Sequence, residues 1–162
     1  MENGKIEGIV GLTKLFRNET IELSKGDVII FAGSEAVCAP FAELLGYSVR
    51  DKDLALYFSP LAREKDCRPL QWKDGTGYNI SSSGEEIAGA DLVVVLGGLA
   101  MPKFGCPVEA VQQFIAKVSK PGGTRVVGVS FMDILRRSGW QHHIRFDSIL
   151  NATMETEKVS LS

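Results

Sequence analysis

The side chains here that could do chemistry are few: Cys38, Cys67 and Cys106, the neighbouring His142 and His143, and Lys103 set among glycines and prolines. Cys106 immediately precedes Pro107, which opens an amphipathic helical pattern, and Cys38 lies two residues before Pro40, at the expected start of another helix. A thiol at a helix N-terminus has its thiolate stabilised by free N–H groups and the macrodipole, which suits a nucleophile, a redox centre or a metal ligand. If the preceding strands are neighbours, both thiols face one crevice. Cys106 with Cys38 as resolving partner would then make a thiol-dependent enzyme or redox protein. Against this, unpaired cysteine commonly serves as small apolar filler, and no C-x-x-C pair is present. His142 and His143, adjacent on an extended segment, face opposite ways, one exposed and one packed near Trp140. With no further ligands at short spacing, no metal is expected. Ser34, Ser59 and Ser130 read as helix caps, since no G-x-S-x-G elbow surrounds them.

The more individual feature is a loop, Gly97-Gly98-Leu99-Ala100-Met101-Pro102-Lys103-Phe104-Gly105-Cys106-Pro107. Paired glycines directly after a strongly apolar strand, followed by one lysine, suit a binding loop. Gly33-Ser34, Ser59-Pro60 and Ser130 follow other such strands. Each place leads into a helix start, where free N–H groups favour an anion. Gly33, Ser34, Gly97, Gly98, Lys103 and Ser130 are therefore the expected contacts to a small anionic or nucleotide-like ligand. Asp51 and Asp53 follow Gly33 at about the distance of a dinucleotide fold's ribose acid, but Gly33 to Cys38 lacks the later glycines of G-x-G-x-x-G. There is no P-loop, and no cofactor is named by the sequence.

The elements that must position these residues come next. An apolar stripe of Ile6, Ile9, Val10, Leu12, Thr13 and Phe16 predicts a helix over 6–17. Residues 28–32, 54–58, 91–96 and 125–129 read as buried strands, and 144–150 as a half-covered edge strand. Helices are expected from about Cys38 to Leu45 with Gly46 as αL cap, after Ser59-Pro60, from Ser83-Gly84-Glu85-Glu86, from Pro107, and from Ser130 through Arg137. Residues 47–50 suggest a further short strand. Residues 66–83 show no periodicity and carry Trp72 and Tyr78, a surface suited to a partner or a homodimer. Alternating strands and helices select an α/β fold: a three-layer, Rossmann-like or flavodoxin-like sandwich on a mostly parallel sheet of about five strands.

The chain of 162 residues suits one domain with a polar tail from about 152, and its net charge of −2 gives no footprint for nucleic acid. Neither a secretory signal in Met1 to Glu7 nor a membrane-spanning run is read. Three cysteines at wide spacing suit a reducing, cytoplasmic setting. Together these leave three readings: a ligand-binding domain, the thiol protein above, or a non-catalytic interaction domain.

Asp91-Leu92-Val93-Val94-Val95-Leu96-Gly97-Gly98-Leu99-Ala100-Met101-Pro102-Lys103, with Phe31-Ala32-Gly33-Ser34 upstream, resembles a small family of uncharacterised proteins from methanogenic archaea. The resemblance covers most of the chain and implies an archaeal, cytoplasmic protein. It transfers no catalytic residues.

Overall fold

The apolar runs become the middle of one sheet in the computed structural model, which describes residues 6–162. Met1 to Lys5, most of the stretch read above as lacking a signal, lie outside the described residues. Among the described residues the strands are β1 (Val28–Gly33), β2 (Ala55–Pro60), β3 (Arg68–Lys73), β4 (Gly77–Ile80), β5 (Leu92–Leu96), β6 (Arg125–Phe131) and β7 (Ser148–Ala152). Their order is β4-β3-β2-β1-β5-β6-β7. The run from β2 to β7 is parallel throughout, and β3 and β4 add an antiparallel hairpin at one edge. The expected five strands are thus the parallel ones.

Alternation along β1 and β5 divides the core. Ile29, Phe31, Leu92, Val94 and Leu96 pack with Leu12 and Phe16 of α1 (Gly8–Glu19) and Ala42 and Leu45 of α2 (Glu35–Ser48). Ile30, Ala32, Val93 and Val95 pack with Val111, Phe114 and Val118 of α3 (Val108–Val118) and Leu135 of α4 (Ile134–Arg137). Side chains apolar on both alternate sets fit a sheet covered on both faces, which gives the expected three layers.

Several local expectations are corrected. In α1 the buried residues are Gly11, Leu12 and Phe16, whereas Ile6, Ile9 and Val10 are exposed. α2 begins at Glu35, because the Cys38 N–H already finds the Ser34 carbonyl at 2.8 Å, so Pro40 stands inside the helix and removes one hydrogen bond there. Gly46 is no αL cap. It lies within α2, where a Cβ would meet Leu56 and Leu70, each at 3.1 Å. Residues 47–50 are the end of α2 and a 3-10 turn. No helix follows Ser59-Pro60, which close β2, and Ser83 to Glu86 form none either; Glu85 instead bridges Cys67. β7 begins at Ser148, later than expected, and no regular element follows it.

The aperiodic excursion is largely the β3–β4 hairpin. Its faces are mostly exposed, so apolar alternation is weak, although Asp74-Gly75 is a turn signal. Trp72 and Tyr78 fasten it to α2: Tyr47 stacks on Trp72 at 6.0 Å, Trp72 meets Tyr78 edge-on at 5.2 Å, and Arg50 lies 3.9 Å over Tyr47.

Candidate functional site

Taken alone, the parallel strands run β2-β1-β5-β6-β7, an order that reverses between β1 and β5. In open α/β sheets the ligand crevice lies outside the carboxyl ends of the strands at such a reversal. The structure brings most of the expected residues there, but uses several for internal packing. A Cβ on Gly33 would stand 2.5 Å from the Cys38 Cβ, one on Gly97 2.7 Å from Ile134 Cγ2, and one on Gly98 2.6 Å from Val37 Cγ2 and against the Cys38 sulfur. These glycines therefore admit the chain's own Val37, Cys38 and Ile134 to the reversal point. Ser34 is buried as the residue before α2 and makes no side-chain cap bond among the described residues. Ser130 is buried, and its hydroxyl accepts the Leu135 N–H at 3.1 Å, tying β6 to α4.

The thiols do not share a crevice. Cys38 belongs to the core under α1 and α2, and Cys106 packs against the core under α3 and α4. Burial pushes Cys38 up, against an opposing pull from the backbone at Ser34 and Gly98. It likewise raises Cys106, opposed by the Arg63 charge, and carries Cys67 up to about 11. Each shift is opposite to that of an activated nucleophile. His142 and His143 are both exposed, contrary to expectation, and no cluster of metal-ligating side chains occurs among the described residues. Asp51 and Asp53 precede β2, at the opposite edge of the sheet from Gly33, and pair with Arg17 and Lys25; there they cannot act as a ribose acid.

What remains open at the carboxyl edge is a pair of loops. The β5–α3 connection folds back on itself: Met101 N–H donates to Gly98 O at 3.2 Å, Gly105 N–H to Met101 O at 2.9 Å and Cys106 N–H to Leu99 O at 3.0 Å. A Cβ on Gly105 would collide with the Leu99 carbonyl, so only glycine allows this closure. Pro102, Lys103 and Phe104 are displayed at the tip, with Phe104 43% exposed.

The loop after β2, a candidate from sequence through Ser59-Pro60, has a backbone that sequence reasoning did not anticipate. Leu61 and Ala62 are both left-handed, at φ 57° and 55°, as are Met132 and Asp133 after β6, at 52° and 63°. Such backbone costs about 1–3 kcal/mol per residue without glycine and gathers at functional sites. The Leu61 N–H donates to Gly33 O at 2.9 Å. The buried Ser59 hydroxyl, read from sequence as a helix cap, donates to Arg63 O at 2.7 Å and accepts the Arg63 N–H at 2.9 Å. The only sequence signal was a serine and proline at a strand end.

Two clefts open elsewhere, of about 430 Å³ at the amino edge beside Asp91 and Arg125 and about 400 Å³ between α2 and the hairpin. Neither is lined by an expected site residue.

Topology and edge loops together define a doubly wound α/β domain of the flavodoxin-like order, extended by one antiparallel hairpin. The chain belongs to the DUF2124 family, described as an uncharacterised protein conserved in archaea, whose model matches residues 7–155. It is 37% identical over 150 residues to an uncharacterised protein of Methanocaldococcus jannaschii, covering 93% of this chain and 86% of that one. A relative from Methanothermobacter thermautotrophicus is 35% identical over 125 residues, covering 77% of this chain and 78% of its own. A crystal structure of a protein of unknown function from Methanothermobacter thermautotrophicus superposes with a TM-score of 0.86 at 29% identity, covering 99% of this chain and 97% of that one. No helix among the described residues is long and apolar enough to cross a membrane.

Proposed function

We propose that this protein binds a small anionic, nucleotide-like ligand at the carboxyl edge of its sheet, over the reversal between β1 and β5. The observation that carries the reading is the β5–α3 loop, held rigid by its own backbone and displaying Lys103 beside an exposed Phe104. A lysine supplies a point charge for phosphate or carboxylate, and a phenyl face supplies a surface for a flat ring. Gly33, Ser34, Gly97, Gly98 and Ser130 form the base on which that loop stands. The alternative, thiol chemistry at Cys106 with Cys38, is less favoured, because both thiols are raised and pack on opposite faces. Free cysteines fit a reducing, cytoplasmic setting.

Native mass spectrometry of the gently purified protein, followed by denaturation, tests the reading. The expected result is a released anionic small molecule that Lys103→Ala and Phe104→Ala no longer retain. No bound mass, together with no thermal stabilisation by any of a panel of nucleotides, overturns it.

A further inference from the structure

The cleft of about 400 Å³ between α2 and the hairpin plays no part in the ligand reading, and its lining carries an unbalanced charge. On α2, Glu35, Ala39 and Glu43 recur every four residues, which puts them on one face of the helix, and all three line the cleft. At 1.5 Å of rise per residue the two glutamates stand about 12 Å apart along the axis, with the small side chain of Ala39 between them. Opposite them the hairpin contributes Arg68 from β3 and Asn79 from β4, followed by Ser81 and Ser82. Phe58 and Ile80 supply the apolar part of the lining.

Arg68 is the only cation among the lining residues, and it is already engaged. Its Nε and Nη2 donate to the two Asp66 oxygens at 3.1 and 3.2 Å, and its Nη1 donates to Glu35 Oε1 at 2.5 Å. With Glu43, one cation therefore faces three carboxylates. Glu43 has no ion-pair partner among the described residues. Burial alone moves its carboxyl, upward, with no donor or cation pulling it back, whereas Asp51, Glu64 and Asp91 all move down. A carboxylate that loses water in a cleft without gaining a partner costs stability, and it marks a place where a ligand can supply the missing charge.

We infer that this cleft binds a linear polyamine, a methylene chain with an ammonium group towards each end, one held by Glu43 and the other by Glu35. The spacing of the two glutamates suits such a chain. Ala39, Phe58 and Ile80 give its methylenes apolar contact, and the Asn79 side-chain carbonyl and the serine hydroxyls can accept its remaining N–H bonds. The Glu35–Arg68 pair does not stand in the way: the Glu35 side chain is 63% exposed, where an ion pair is worth little, and its carboxylate has lone pairs for both cations. The cleft shares no lining residue with the loops of the anionic ligand, so the two sites stand or fall separately.

The test uses the full chain, labelled with 15N and titrated with spermidine hydrochloride against sodium chloride at equal ionic strength. Saturable amide shifts are expected across residues 35–43 and 79–82. Putrescine, too short to reach both glutamates, and butylamine, with a single ammonium, should bind about tenfold more weakly or worse, the usual weight of a hydrogen bond to a charged group. Glu43→Gln keeps the shape of the side chain, breaks no ion pair and should weaken spermidine by about tenfold or more. Glu35→Gln should do the same, with a melting curve to show it folded. The site is overturned if spermidine gives no saturable shifts beyond those of sodium chloride, or if either glutamine variant binds like the wild type. It is equally overturned if putrescine, butylamine or magnesium chloride binds as tightly as spermidine, since general screening of negative charge, and not a chain held at two ends, would then move the amides.

Discussion

Replacing Gly98 by alanine puts a methyl group into the space held by Cys38 and Val37, and the sign of the effect follows from two opposed terms. Gly98 has no positive φ, so alanine adopts its backbone without strain. The less flexible unfolded chain then favours the variant by about 0.4–1 kcal/mol. Against this, the new Cβ would stand 2.6 Å from Val37 Cγ2 and press on the Cys38 sulfur. Overpacking of this kind costs about 1–3 kcal/mol. The net expectation is a loss of about 1–2 kcal/mol, or a melting temperature lower by about 2–8 °C for a chain of this size. Cys38→Ala removes the nearer obstacle, at the cost of a small cavity worth about 1 kcal/mol. In that background Gly98→Ala should cost under about 0.5 kcal/mol, since contacting residues couple. Urea unfolding of the wild type, both single variants and the double variant measures the cycle. Equal cost in both backgrounds, or stabilisation of the wild type by Gly98→Ala, would refute the view that this glycine exists to admit the thiol.

Glu19 joins three elements, accepting from Arg125 at 2.5 Å and from the Ser148 hydroxyl at 2.5 Å. Glu19→Gln should lower stability by about 1 kcal/mol, less at high salt, as read from urea midpoints. Desolvation pulls the Asp91 carboxyl up, but Lys120 and the Val28 N–H pull it further down, below its ordinary 3.8. A depressed folded pKa gives stability that is present above the unfolded value and lost as pH falls through the folded one, so Asp91→Asn should flatten the acid limb of the stability profile below about pH 4. Cys67 has the opposite sign: burial raises it from 9.0 to about 11, so its contribution is complete below pH 9.0 and lost as pH rises towards 11. Alkaline melts of Cys67→Ala should show a shallower decline over that window. Alkylation at neutral pH should find Cys106, which is half-buried, faster than the buried Cys38 and Cys67. A Cys38 thiol that reacts first would revive the thiol chemistry set aside above.

The layered fold was legible because its evidence is local in the chain. Val28 to Ala32 and Leu92 to Leu96 are apolar on both alternate sets, which only a sheet covered on two faces rewards, and Pro107 with Val111, Phe114 and Val118 carries a helical period. The hairpin was less legible, since Arg68 to Lys73 is half polar and its partner has four residues. Ser59-Pro60 misled because a serine before a proline suits a helix start as well as a strand end.

By its own pattern, then, the sequence determined the five parallel strands and the helices before β1, between β1 and β2 and between β5 and β6, but not the hairpin that replaces a helix between β2 and β5. Tertiary structure alone decided what the loops between these elements do, because the deciding facts are distances between residues far apart in the chain. Gly98 reads as room for a ligand until Cys38 is found in that room, 60 positions earlier in the sequence. Ser59 reads as a helix cap until its hydroxyl is seen to hold the Arg63 backbone beyond the end of β2. Local periodicity records which face of an element is buried; it holds no information on which remote side chain completes the packing there, and that is set only when the layers close.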